Sequence, residues 1–272
     1  MDPSLHRPNR DRLSAMAALV LLTYGLLRIV ELPAFSAQFA LAGLLIRFEF
    51  NARVALLSLS AALAVTGTDW LLQSHPRLQG KRTPAEHWFV PALASLALGA
   101  ILSRLPEGLA LWLGLPIAAM LLVAVLVAEY VVVDASDPRY DLAAAGLRAL
   151  AYLLLAGAFF AIKATDMRAI FGVPLTILAG WLVSWRLQRL EGASIPTAIW
   201  QGSILAWFGG QISWALHYWP IKPLQESLLL GLAFYSGNAA LAAWRQGRTG
   251  QATWLEIGVV TVAGLAAILF AT

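Results

Sequence analysis

Residues 107–133 read EGLALWLGLPIAAMLLVAVLVAEYVVV, with no charged residue between Glu107 and Glu129. A hydrocarbon layer about 30 Å thick is crossed by roughly 20 helical residues, so this stretch reads as a membrane-spanning helix. Working outward, runs of Leu, Ala, Val and Trp of similar length recur along the chain, separated by short segments that hold most of the charge and proline. The predicted spans are 12–32, 51–72, 86–104, 107–133, 142–163, 169–187, 195–218, 224–244 and 251–271. With 60% hydrophobic and 12% charged residues in 272, and a mean hydropathy of +0.72, the chain has more apolar surface than one aqueous core can hide.

The stretch from Pro33 to Phe50 is ambiguous. Its apolar run from Phe39 to Ile46 is too short to cross, and it closes in Arg47, Phe48, Glu49, Phe50, an alternation of charge and aromatic that suits a membrane interface. The expected architecture is therefore an all-α, polytopic transmembrane helical bundle of about nine spans plus one interfacial or re-entrant segment, a single integral membrane domain over 1–272.

Threading follows from loop charge. With the N-terminus in the cytoplasm, the inner side receives Arg7, Arg10, Arg12, Arg77, Lys81, Arg82, Arg139, Arg186, Arg189, Arg245 and Arg248. The outer side receives Arg28, Arg47, Arg53, Arg104, Lys163, Arg168 and Lys222, so the excess is inside, and Arg148 falls within a span. Arg28, Arg47 and Lys163 lie near the acids Glu31, Glu49 and Asp166. Trp70, Trp88, Trp181, Trp185, Trp244 and Trp254 collect at the same inner interface, where indoles sit at headgroup level. The expected location is a bacterial inner membrane, with the C-terminus outside.

The net charge of +4 belongs to topology signals and contacts with anionic lipid, since no basic stripe interleaves with aromatics on a soluble module. Membrane lipids are thus the expected partners, with other membrane subunits as further candidates and nucleic acid excluded. The absence of cysteine removes disulfides, thiolate nucleophiles and cysteine-bound metals. A basic N-terminus, an apolar run and small residues at Ala34 to Ala37 leave a cleaved signal peptide as an alternative to an uncleaved first span. The longest polar connection, Gln73 to Glu86, is too short for a soluble domain, and no sequence repeat is evident.

Polar groups inside spans are costly in lipid unless they find partners or water, so they are the places to look for function. Asp69, Glu129, Arg148 and Glu256 lie toward the cytoplasmic ends, and Tyr152 stands one turn beyond Arg148 on the same face. Asp69, Glu129, Arg148 and Tyr152 form the candidate polar site, with Arg148 expected to pair with Glu129 or Asp69. A structural pair, a cytoplasm-side transport site and simple snorkelling of the arginine all fit that grouping.

The loop Asp134-Ala-Ser-Asp137-Pro-Arg139-Tyr140-Asp141 resembles the Mg²⁺-binding aspartate motifs of intramembrane prenyltransferases and CDP-alcohol phosphotransferases. Pro138 breaks the helix on which such aspartates align, and no second acidic segment exists, so a solvated loop with Asp141 capping the next helix is the simpler reading. No catalytic residue, metal ligand or cofactor is assigned. His6, His75, His87 and His217 lie at helix ends and in loops, which disfavours bis-histidine haem, and His75 and His87 are expected to be solvated.

Trp200, Trp207 and Trp214 fall at spacings of seven and share one helical stripe. The stripe packs against helices or lipid, or lines a cavity for a flat apolar ligand. Gln201, Gly209, Gly210, Gln211 and Ser213 give the same helix small and polar surfaces. Asn238 with Tyr235 and Ser236 is a smaller polar set, and Glu226 starts its helix where a carboxylate suits the positive end.

Three stretches carry a family resemblance: Gly67-Thr-Asp-Trp-Leu-Leu-Gln-Ser-His75-Pro, Glu129-Tyr-Val-Val-Val-Asp134 running on to Asp137-Pro138, and Trp214-Ala-Leu-His-Tyr-Trp219-Pro. Together they resemble an uncharacterised multi-pass bacterial membrane family, a domain of unknown function, from about the second helix to the eighth. That resemblance implies a membrane fold and brings no activity, substrate or cofactor. The chain thus reads first as a non-enzymatic scaffold, accessory subunit or handler of lipid or another hydrophobic molecule. A transporter or flippase with a cytoplasm-side polar site is the second reading, and an Mg²⁺-dependent intramembrane transferase using the aspartate loop is the third.

Overall fold

The computed structural model describes residues 8–30, 35–41, 44–165 and 167–270. His6, Arg7, Glu31, Ala34, Asp166 and the C-terminal end, which figure in the expectations above, lie outside these residues. Nine α-helices are present among the described residues: α1 (Arg10–Ile29), α2 (Ala52–Leu72), α3 (Phe89–Leu102), α4 (Leu109–Val131), α5 (Tyr140–Ala164), α6 (Ala169–Leu190), α7 (Ile195–His217), α8 (Pro223–Arg245) and α9 (Gln251–Phe270). Each falls on one of the predicted stretches. Among the described residues seven stretches qualify by length and composition as membrane-crossing, namely α2, α3 together with the turn before it (Ala85–Leu102), α4, α5, α6, α8 and α9. The tryptophans, glycines and glutamines of α7 lower its apolarity.

The segment expected to be interfacial or re-entrant contains an antiparallel hairpin, β1 (Phe35–Leu41) with β2 (Leu44–Phe50), pairing Phe35 with Phe50 and Leu41 with Leu44. The bundle is therefore helical with one added hairpin. The period-two alternation from Arg47 to Phe50 is a strand pattern, and a short apolar run beside it completes a strand as readily as an interfacial turn.

Helix boundaries have local causes. Asn9 accepts from the amides of Asp11 and Arg12, and Asn51 accepts from Val54, so each caps the helix that follows. Pro196 and Pro223 occupy first-turn positions, where the missing N–H costs nothing.

Packing divides the chain into two compact units, Met1–Ala143 and Ala144–Thr272. In the first, Met16, Val20 and Tyr24 of α1 pack with Leu71, Leu102, Leu122, Leu126 and Tyr130. The Tyr24 hydroxyl donates to the Ser95 carbonyl at 2.7 Å, satisfying a polar group that would otherwise be stranded in the core. In the second unit α6 and α7 approach most closely. A Cβ at Gly202 would stand 3.2 Å from the backbone nitrogen of Trp185, so the glycine permits the two backbones to meet. Phe234 of α8 lies against Gly180 of α6 and Gly209 of α7 and packs on Phe159 of α5, ring centroids 5.4 Å apart. These residues form the waist of the second unit.

Candidate functional site

Two of the candidate polar residues, Arg148 and Tyr152, lie in the second unit, and the carboxylate that meets Arg148 is Glu191. Glu191 follows the last residue of α6, where Gly192 adopts φ +82° and the Ala193 amide bonds the Gln188 carbonyl at 3.0 Å. That bond pattern ends a helix on a left-handed residue, which is why glycine stands there. The end of α8 repeats it: Gly247 has φ +68°, and the Arg248 amide bonds the Ala243 carbonyl at 2.9 Å. Two matching helix ends thus present Glu191 and Arg248.

Beneath them runs a buried polar network. Arg245 donates to Gln188 Oε1 at 2.6 Å, to Gln201 Oε1 at 3.0 Å and to the Glu191 carbonyl at 2.8 Å. Gln188 donates to Asn238 Oδ1 at 3.1 Å, and Asn238 donates to Ser184 Oγ at 3.1 Å and to the Phe234 carbonyl at 2.8 Å. Buried polar atoms are tolerated when each finds a partner, and here α6, α7 and α8 supply them to one another.

A cavity of about 440 Å³ opens beside this network, bounded by α5, α6, α8 and α9. Arg148, Glu191, Arg248 and Glu256 provide its charge; Tyr152, Tyr235, Gln188 and Asn238 its neutral polar surface; Ala149, Leu187, Ala239, Ala242 and Ile257 its apolar surface. Tyr152 and Tyr235 meet edge to face, with centroids 5.6 Å apart. A wall that combines formal charge, phenol hydroxyls and small aliphatic side chains suits a molecule with a polar end and an apolar end.

The opposite end of the same unit holds a smaller cavity of about 140 Å³, lined among others by Lys163, Ser213, His217 and Glu226. Lys163 Nζ lies 2.7 Å from Glu226 Oε2, and both side chains are largely shielded. Lys163 closes α5 and Glu226 opens α8, so each charge also faces the helix end that favours it. Phe159 and Phe234, both fully buried, belong to the waist between the two cavities.

The other two candidate residues lie in the first unit. Asp69 accepts from Gln73 Nε2 at 2.6 Å on an exposed surface, whereas Glu129 is fully buried with His87 Nδ1 2.8 Å from its Oε2. The expected pairing of Arg148 with Glu129 or Asp69 is thus replaced by Arg148 with Glu191 and Glu129 with His87. His75 and His87, expected to be solvated, are buried. The Gln73 to Glu86 connection coils into two 3₁₀ turns, Pro76–Leu78 and Ala85–His87, and His75 packs edge on against Tyr130 with centroids 4.7 Å apart. A dozen polar residues, read as an open loop, fold back to bring imidazoles under cover.

The aspartate loop is held by arginines. Asp134 Oδ1 accepts from the Ser136 amide at 2.8 Å and from its hydroxyl at 2.6 Å, and pairs with Arg77 at 2.8 Å. Asp137 holds Arg139 through Nη2 at 2.8 Å and its amide at 2.8 Å. Burial pushes the Asp134 carboxyl up, but the Ser136 bonds and the Arg77 charge outweigh it and hold it below its usual value. The Asp137 bond, working against burial, holds Arg139 above its own. Asp141, expected to cap α5, stands within its first turn, where its charge faces the helix dipole from inside. Among the described residues no three His, Asp or Glu side chains converge as metal ligands.

The tryptophan stripe faces outward: Trp200, Trp207 and Trp214 are 68%, 62% and 50% exposed, and none lines either cavity. Sequence reasoning grouped Asn238 with Tyr235, and both line the larger cavity. It missed Glu191 and His87, which read as ordinary loop residues because their partners are distant in sequence.

The family model of DUF5656, described as a protein of unknown function, matches residues 32–271, and the chain belongs to that family. No curated protein and no solved structure matches the chain.

Proposed function

We propose that this member of the DUF5656 family binds and handles a lipid or another hydrophobic molecule in the cavity beside Arg148 and Glu191, without catalysing a reaction. The observation that carries the reading is the lining itself, an ion pair, two phenols and a band of small aliphatic side chains around about 440 Å³. Small-molecule sites typically enclose roughly 300–1,000 Å³ of mostly apolar surface with a few placed polar groups. On this reading all nine helices cross a bacterial inner membrane, with the N-terminus cytoplasmic and the C-terminus outside. The chief polar burden of α7 is offset because Gln201 is bonded by Arg245. Lipids, not nucleic acid, are the partners, and the exposed stripe of Trp200, Trp207 and Trp214 is the face offered to lipid or to another membrane subunit.

A second reading, transport of the bound molecule, is favoured by one observation: cavities stand at both ends of the second unit, with Phe159 and Phe234 buried in the waist. The test of binding is to fill the larger cavity. Ala239→Trp should abolish the small molecule that co-purifies from native membranes, as read by mass spectrometry, while Ile195→Ala on an exposed position should not. Equal retention in both variants would end the proposal.

A further inference from the structure

We infer that the ligand of the larger cavity carries a zwitterionic phosphoethanolamine group, its phosphate at Arg248 and its ammonium at Glu256. The inference rests on the lipid-handling reading and specifies the head group. Four charged residues line the cavity, and two of them satisfy each other: Arg148 pairs with Glu191, whose other carboxylate oxygen accepts from Gln246 Nε2 at 3.1 Å. The remaining two are opposite in sign and lack an ionic partner among the described residues. Arg248 donates Nε to the neutral Gln246 Oε1 at 2.9 Å, which leaves the rest of its guanidinium uncommitted. Glu256 lies in the second turn of α9, within an apolar helix long enough to cross a membrane, and among the described residues no Lys, Arg or His nitrogen stands within 4 Å of it.

Both residues are exposed at the edge of the cavity, so water meets each charge when the cavity is empty, and a molecule bound there exchanges that water for one charge of each sign. A purely anionic head group would satisfy Arg248 and be repelled by Glu256; a purely cationic one would meet the reverse. A head group with both charges, two carbons apart, answers both. Its primary ammonium can donate to a carboxylate, and its phosphate can accept from a guanidinium in paired bonds. The Tyr152 and Tyr235 hydroxyls, which have no protein partner among the described residues, offer hydrogen bonds to the ester oxygens below, and Ala239, Ala242 and Ile257 line the path of an acyl chain.

The experiment is lipid retention by the full chain in nanodiscs, read by native mass spectrometry after equilibration with equal amounts of phosphatidylethanolamine, phosphatidylcholine and phosphatidylglycerol. Phosphatidylethanolamine should be retained about three- to fivefold over phosphatidylglycerol, the ratio expected of one partly exposed charge pair. Glu256→Gln should remove that preference while leaving phosphatidylglycerol bound, and Arg248→Gln should weaken retention of all three. Unaltered thermal unfolding of both variants would separate these effects from misfolding. Equal retention of phosphatidylglycerol by the parent chain, or a preference indifferent to Glu256→Gln, would overturn the head-group assignment while leaving lipid handling intact. Retention of no lipid at all would overturn both. Competition with soluble glycerophosphoethanolamine tells the source: displacement assigns a soluble ligand with the same group, and persistence assigns the lipid.

Discussion

His87 Nδ1 lies 2.8 Å from Glu129 Oε2, with the carboxylate fully buried and the imidazole nearly so. The bond ties the start of α3 to the end of α4, and through the coiled connection that carries His75 it helps close the first unit. Removing one side of a buried polar pair leaves the other without its bond, at about 1–3 kcal/mol. Glu129→Ala and His87→Ala should each lower the detergent-solubilised melting temperature, and the double variant should lose less than the sum. Strict additivity would show that the two side chains do not depend on each other.

Arg148 and Glu191 make the corresponding pair in the second unit, more open to solvent at 38% and 22% side-chain exposure. A double-mutant cycle of Arg148→Ala and Glu191→Ala should return a coupling of about 1 kcal/mol or less, as screening reduces partly exposed pairs. The cycle of Arg148→Ala with Asp69→Ala should return none. Coupling to Asp69 in place of Glu191 would contradict the pairing.

These pairings mark where the sequence was legible and where it was not. Helix positions follow from runs of apolar residues, a local property, and the ends of α2, α7 and α8 fall within a residue or so of the pattern. Arg148 announced itself as a charge within a span, and its need for a partner was readable; the partner's identity was not. Glu191 lies 43 residues away, past a helix end fixed by Gly192, and nothing local distinguishes it from a solvated loop acid. The hairpin at 35–50 was written in the alternation of Arg47 to Phe50, yet the same alternation suits an interface, so period alone did not decide it.

The Asp134 carboxyl is held below its usual value, so its contribution to stability has a definite sign. Such a group stabilises the fold fully above the ordinary carboxylate pKa of about 3.9, and the contribution is lost as pH falls through its depressed folded value. Acid unfolding followed by tryptophan fluorescence should therefore show a limb below about pH 4. Arg77→Ala should move that limb upward, because the guanidinium is one of the groups that holds the carboxyl down, and Asp134→Asn should remove it. An acid limb unchanged in both variants would assign the transition to other carboxylates.

Phe234 occupies a notch floored by Gly180 and Gly209, and a Cβ built at either glycine would fall inside the van der Waals envelope of the ring. The ring is 2% exposed and also meets Phe159, so it has little room to withdraw. Overpacking of this kind costs about 1–3 kcal/mol. Gly180→Ala and Gly209→Ala should each destabilise the second unit by that amount, and Phe234→Leu, which shortens the side chain, should recover part of the loss when combined with either. The recovery separates steric conflict from a change in helix propensity, because alanine favours a helix over glycine by up to about 1 kcal/mol and on that ground alone both substitutions would stabilise. A rise in melting temperature for Gly209→Ala would mean that the ring is free to move aside, and the waist between the two cavities would then be a yielding barrier.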